Sequence, residues 1–182
     1  MSCLVGTKAN LKVCKIKEKR FVISAANEVV NFTNLHTGEV ENRIYDREAA
    51  HGDVTCIQTS QNLLAIGYQD GAVLVFDLTE QAQEQTVMTV SDFEQLHSFE
   101  FHRSPITALV FADENTQLIS GAQDTYIILY DLVNSTAEYK LMGHTEPVTQ
   151  LQTLVTRHPE TKQLQRHLLS GAKDGLLKLW DL

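Results

Sequence analysis

At 182 residues, with 43% hydrophobic and 21% charged side chains, the chain has the composition of one ordinary folded domain, and that balance excludes a disordered segment. No run approaches the roughly 18 uninterrupted apolar residues that a membrane-spanning helix requires, so no membrane partner is expected. The net charge of −8 divides into +5 over residues 1–20, where Lys8, Lys12, Lys15, Lys17, Lys19 and Arg20 oppose Glu18, and −13 over the remainder, with nine basic and 22 acidic residues. Such a body repels phosphates, which confines any nucleic-acid contact to the N-terminal stretch or to selected loops.

In chain order, residues 11–16, 21–24 and 29–32 read as strands and residues 39–45 as an outer strand. Next come His51, a β-type run at 54–59, and AIGYQDGAVLVFDL over residues 65–78. A polar stretch, 79–92, leads to His102, a second β-type run at 106–111, and ISGAQDTYIILYDL over 119–132. Finally Gly143-His144 precedes a run at 148–155, an insertion at 157–166, and LSGAKDGLLKLWDL over 169–182.

These last three units are copies of one another. Each places an Asp six residues before an aromatic ring, Asp70 before Phe76, Asp124 before Tyr130 and Asp174 before Trp180, and each ring is followed by Asp-Leu. The spacing between copies is 54 and then 50 residues, and the surplus over the roughly 40–45 of a propeller repeat sits in the stretches 79–92 and 157–166. Loops of that kind on a rigid frame are common places for partner contact. Asp70-Gly71 and Asp174-Gly175 predict tight links between strands. The first unit is a worn copy, with Asn27 and Thr33 where the Asp and the ring would stand. No helical periodicity interrupts the pattern, so the predicted fold is all-β.

Residue types of catalytic interest have a plainer reading here. His102, Ser120 and Asp124 match a hydrolase triad in kind, but no GxSxG elbow accompanies them and the trio recurs as His144, Ser170 and Asp174 in the next unit. No catalytic residue is therefore assigned. The histidines, His97, His158 and His167 included, lack metal-ligand spacing, and no phosphate-binding loop is present, so neither metal, cofactor nor small-molecule substrate is predicted. Cys3, Cys14 and Cys56 are odd in number and lack CxxC spacing, which points to free, buried thiols. Nothing at Met1–Thr7 marks export.

With those residues in view, the chain resembles the WD-repeat β-propeller family. The resemblance implies a hydrogen-bonded tetrad of His144, Ser170, Asp174 and Trp180, and a second of His102, Ser120, Asp124 and Tyr130. In the second unit Ile66 and Phe76 leave only His51 and Asp70 able to pair. It also implies a partial propeller of about four blades of four-stranded antiparallel sheet, part of a larger ring. The expected division is a worn blade at about 8–46 and blades at 51–98, 102–141 and 144–182, the last incomplete, within a single domain 1–182. The chain is expected to be a piece of a longer product completed by further blades, or else a closed four-blade ring with residues 1–7 as the missing strand.

Within that family, the stretch SGAQDTYIILYDLVNSTAEYKLMGHTEPVTQ over residues 120–150 is similar to the Utp-twelve or WD-repeat-containing-protein-three type of the small-subunit processome. That likeness implies a non-enzymatic scaffold in pre-ribosomal RNA processing, located in the nucleolus or nucleus. It would work among other proteins of a multi-subunit complex, with local or indirect contact to small nucleolar RNA or pre-ribosomal RNA. The alternative is a general cytoplasmic adaptor of cytoskeletal or ubiquitin-ligase type. In either case the face where the Asp turns emerge is the expected binding surface, presenting Gln69, Gln123 and Lys173 before the aspartates and Arg103 and Glu146 beside the histidines.

Overall fold

The computed structural model describes residues 11–16, 19–45, 51–79, 93–157 and 162–182. Among them, fifteen strands form four antiparallel sheets in strict chain order. Sheet one holds β1 (Lys12–Ile16), β2 (Lys19–Ala26), β3 (Val29–Asn34) and β4 (Val40–Tyr45). Sheet two holds β5 (Val54–Ser60), β6 (Leu63–Tyr68), β7 (Val73–Asp77) and β8 (Glu94–Phe99). Sheet three holds β9 (Ile106–Ala112), β10 (Gln117–Ala122), β11 (Ile127–Asp131) and β12 (Thr136–Leu141). Sheet four has three strands, β13 (Val148–Arg157), β14 (Leu164–Ala172) and β15 (Leu177–Asp181). This is an all-β, unclosed run of propeller blades, as the repeat implies.

The core lies between sheets. Alternation along each strand sends every second side chain to a neighbouring sheet, so the middle strands are apolar on both faces and the outer strands mostly polar. One cluster joins Val30, Phe32 and Ile23 of sheet one to Val54, Ile57, Leu64 and Phe76 of sheet two. A second joins Val73 and Val75 to Ile106, Leu109, Leu118 and Tyr130, and a third joins Ile127 and Leu129 to Val148, Leu151 and Leu168. Two glycines fix how closely sheets approach. A Cβ on Gly67 would stand 2.6 Å from Ile106, and one on Gly121 would stand 2.6 Å from Val148.

Local geometry refines the sequence reading in three places. The Asp turns are tight three-residue loops, closed by the N–H of Tyr68, Ala122 or Ala172 on the carbonyl of Ala72, Tyr126 or Leu176. Their third residue has positive φ: Gly71 at 102°, Gly175 at 76°, and Thr125 at 72°, where a β-branched side chain is strained. The corresponding hairpin of sheet one is shorter, with Asn27 and Glu28 alone between the paired Ala26 and Val29. That slip places Ser24, opposite Asn31, in the row that holds Ser120 and Ser170.

The insertion at 157–166 lengthens a hairpin inside the last unit, and part of it is paired strand. The β13–β14 ladder continues through Val155–Arg166 and Thr156–Gln165 to Arg157–Leu164. His167 braces it, bonding Thr156 Oγ1 at 2.9 Å and Asp181 at 2.7 Å. Arg166 meets Asp113 of sheet three, in the 3-10 turn Asp113–Asn115. Residues 158–161, and 80–92 of the other insertion, lie outside the described residues, as do Met1–Thr7 and Cys3. Cys14 and Cys56 are buried free thiols, each pushed up to about 11 by burial.

Candidate functional site

Each Asp turn is held from beneath. In sheet three, Asp124 accepts from His102 Nδ1 at 2.9 Å and from the N–H groups of Arg103 and Tyr126 at 3.3 and 3.2 Å. His102 Nε2 lies 2.7 Å from Ser120 Oγ, and the Ser120 and Tyr130 hydroxyl oxygens are 3.1 Å apart. Sheet four repeats this with Asp174 on His144 Nδ1 at 2.8 Å and on the N–H groups of Thr145 and Leu176 at 3.2 and 3.0 Å. There His144 Nε2 lies 2.8 Å from Ser170 Oγ, which accepts from the Trp180 indole N–H at 2.8 Å.

The proton directions follow from the donors available. An indole N–H can only donate, so Ser170 accepts it, and the buried Ser170 hydroxyl hydrogen then goes to His144 Nε2. This fixes the Nδ1–H tautomer, whose proton points at the carboxylate. In sheet three the Ser120 proton is committed to His102 in the same way, which makes the Tyr130 phenol the donor to Ser120. Burial pushes Asp124 upward, but the His102 ring and the Arg103 and Tyr126 N–H groups outweigh it and hold the carboxyl below its ordinary value. Burial, outweighed by His144, Leu176 and Thr145, leaves Asp174 lowered likewise. Burial raises the Tyr130 phenol.

Sheet two keeps half of the arrangement. His51 Nδ1 bonds Asp70 at 2.7 Å and Asp70 accepts the Ala72 N–H at 2.9 Å, while Ile66 and Phe76 fill the Ser and ring positions with buried carbon. Both serines of the full sets are wholly buried and both have their hydrogen committed. The arrangement can lock a hairpin corner to the strand that follows the histidine, and it presents no hydroxyl to a substrate. Among the described residues, no three His, Cys, Asp or Glu side chains are grouped to hold a metal ion.

On top of these supports, Gln69, Gln123 and Lys173 occupy one repeated position. Their N–H groups donate to the carbonyls of Asp53, Pro105 and Pro147 at 2.9, 3.0 and 2.9 Å, and their side chains are exposed. The Arg103 N–H donates to Asp124, next in sequence to Gln123, and both Arg103 and Glu146 are exposed. One recurrent element was not singled out from the sequence. Thr55, Thr107 and Thr149 donate their hydroxyls to the carbonyls of Gly67, Gly121 and Gly171 at 3.1, 3.0 and 3.1 Å, tying each first strand across its bulge. Its signal was legible: a Thr follows the β-branched residue that opens β5, β9 and β13 alike.

The whole of this repeating frame has a family. The description "Nucleolar protein 10-like, N-terminal domain", a β-propeller, matches residues 7–182. The chain belongs to the nucleolar protein 10-like N-terminal β-propeller family. It is 33% identical to U3 small nucleolar RNA-associated protein 12 of Saccharomyces cerevisiae over 88% of its length, and covers 16% of that protein. It is 31% identical to mitochondrial division protein 1 of Vanderwaltozyma polyspora over 71% of its length, covering 20% of it. The chain therefore spans about a fifth or less of these two curated relatives. Among solved structures, that of U3-55K superposes with a TM-score of 0.65 at 19% identity, over 100% of this chain and 63% of that one, a likeness of fold.

Proposed function

We propose that this nucleolar protein 10-like propeller segment is a non-enzymatic scaffold in pre-ribosomal RNA processing, of the small-subunit processome kind. The observation that carries the reading is a rigid, repeated rim of Asp turns in a chain whose family is nucleolar by description and whose relatives include a U3 small nucleolar RNA-associated protein. The rim offers Gln69, Gln123, Lys173, Arg103 and Glu146 on backbone already fixed by hydrogen bonds, so little ordering cost opposes the docking of a partner loop. The partners are other proteins of a multi-subunit complex, with RNA contact local or indirect because the body of the chain is acidic.

Tagging the chain in cells tests this directly. Nucleolar signal with co-purified precursor ribosomal RNA is expected, and Arg103→Ala with Lys173→Ala should reduce the recovered complex while leaving thermal melting unchanged. A diffuse cytoplasmic signal without that RNA would instead favour a general adaptor, the second reading, which the likeness to mitochondrial division protein 1 keeps in play.

A further inference from the structure

Sheets two and three each have a neighbour on both sides, and the outer corner of the Asp-turn rim between them carries side chains that the propeller frame does not use. The residue before the histidine is Phe101 in one unit and Gly143 in the next. Glycine suffices for the frame, since the His144 bonds form fully behind Gly143, where a Cβ would stand 3.0 Å from Trp180. In sheet three a phenol replaces the indole, and Phe101 fits over it. Its ring lies 6.1 Å from that of Tyr130, against which Phe99 stacks at 4.4 Å, and Phe101 remains 53% exposed.

Cations flank this ring. The N–H groups of Arg103 and Tyr126 share the Asp124 carboxylate, which holds both residues beside the turn. Lys140, paired across the sheet with Ile128, places its Nζ 3.5 Å over the centre of the Tyr126 ring. Ile128 and Tyr130 pack into the core shared with sheet two, so Lys140 lies on the side that Phe101 also reaches. Met142, two residues beyond Lys140, is 67% exposed. Among the described residues neither Lys140 nor Arg103 has a carboxylate partner for its side chain. An unpaired ammonium on an aromatic face, next to bare Phe and Met, offers anionic and apolar recognition in one small area.

We propose that this corner binds an acidic linear segment of a partner protein, which sets carboxylates against Lys140 and Arg103 and an apolar side chain against Phe101 and Met142. The inference rests on the scaffold reading of the rim and names the chemistry of its partner. Charge complementarity selects the acid, because residues 21–182 carry −13 and yet leave these two cations unpaired at an aromatic knob. Two cations do not hold a polyanion against such a body, since nucleic-acid binding draws on roughly 6–10 phosphate contacts. A short segment needs only two carboxylates and gains the apolar contact as well. Asp124 already fixes the corner, so the ordering cost falls on the incoming segment.

Fluorescence anisotropy of the purified 182-residue chain with a labelled peptide, one phenylalanine among aspartates, should show saturable binding that weakens with salt. The same peptide with lysines for aspartates should not bind, and labelled oligo-uridylate should bind less tightly than the acidic peptide. Phe101→Gly should weaken the acidic peptide about fivefold or more and Lys140→Gln about threefold, both with unchanged thermal melting. Phe101→Ser replaces Phe101→Gly if the latter melts early. Absence of saturable binding, equal binding of the lysine peptide, tighter binding of oligo-uridylate, or undiminished binding by either variant would overturn the proposal. A cytoplasmic signal in cells would sink the processome reading and leave this binding standing, whereas no binding beside a nucleolar signal would sink this inference alone.

Discussion

Sheets three and four carry nearly the same residues and live in different surroundings. Ser120-Gly121 matches Ser170-Gly171, Ile127 and Leu129 match Leu177 and Leu179, and Tyr130 matches Trp180. Yet the first member of each pair is sealed between two sheets, while the second has a neighbour on one side only. Burial in a repeat fold is thus a property of position in the stack. The sequence of a blade states what it can bury, and the next blade decides whether it does.

That comparison can be broken most forcefully at the facing leucines. Leu129→Ala should cost about 2–5 kcal/mol in denaturant unfolding because it opens a cavity between sheets, whereas Leu179→Ala should leave the stability of the single arc nearly unchanged. Next in size come the glycines. Gly121→Ala forces a Cβ into Val148 and should destabilise by about 1–3 kcal/mol. Gly171→Ala, with its nearest contact at 3.3 Å to Leu177, should be tolerated. An equal loss at both positions would mean that the face of sheet four is already covered.

Smaller effects sharpen the two tetrads. Tyr130→Phe should cost about 1 kcal/mol, one neutral hydrogen bond, since Phe76 shows that a blade stands with carbon at that place. Thr125→Gly should raise the melting temperature slightly, because Gly175 holds the same positive φ in sheet four without strain. Least of all is the acid response. The Asp124 carboxyl is held below its ordinary 3.8, so its contribution is complete above that value and is lost as pH falls from there through the lower folded value. Asp124→Asn should remove that part of the acid sensitivity, and an unchanged profile between variant and parent would show that the carboxylate is not stabilised in the fold.

Much of this was legible beforehand because the code is periodic. The Asp-to-ring spacing located three hairpins, and alternation of side chains located their strands, with ends off by a residue or two where β5, β9 and β13 run on. The pairing of His51 with Asp70 and the two longer hydrogen-bond chains were what the likeness to WD repeats implied, and the structure forms those bonds. Ser24 escaped notice because a hairpin one residue shorter shifts the count, and only strand register reveals it. Outer strands such as Glu94–Phe99 and Thr136–Leu141 are half solvated and polar, so their pattern is weak.

By itself, then, the sequence determined the strand repeat, the Asp corners and their supporting histidines, since these depend on bonds between residues close in one blade. Tertiary structure alone decided which apolar rows are buried, how near two sheets come at Gly67 and Gly121, and that Leu177 and Leu179 stand uncovered. Those facts depend on contacts between sheets dozens of residues apart, where burial is set by what lies across the interface and not by the residue that is buried.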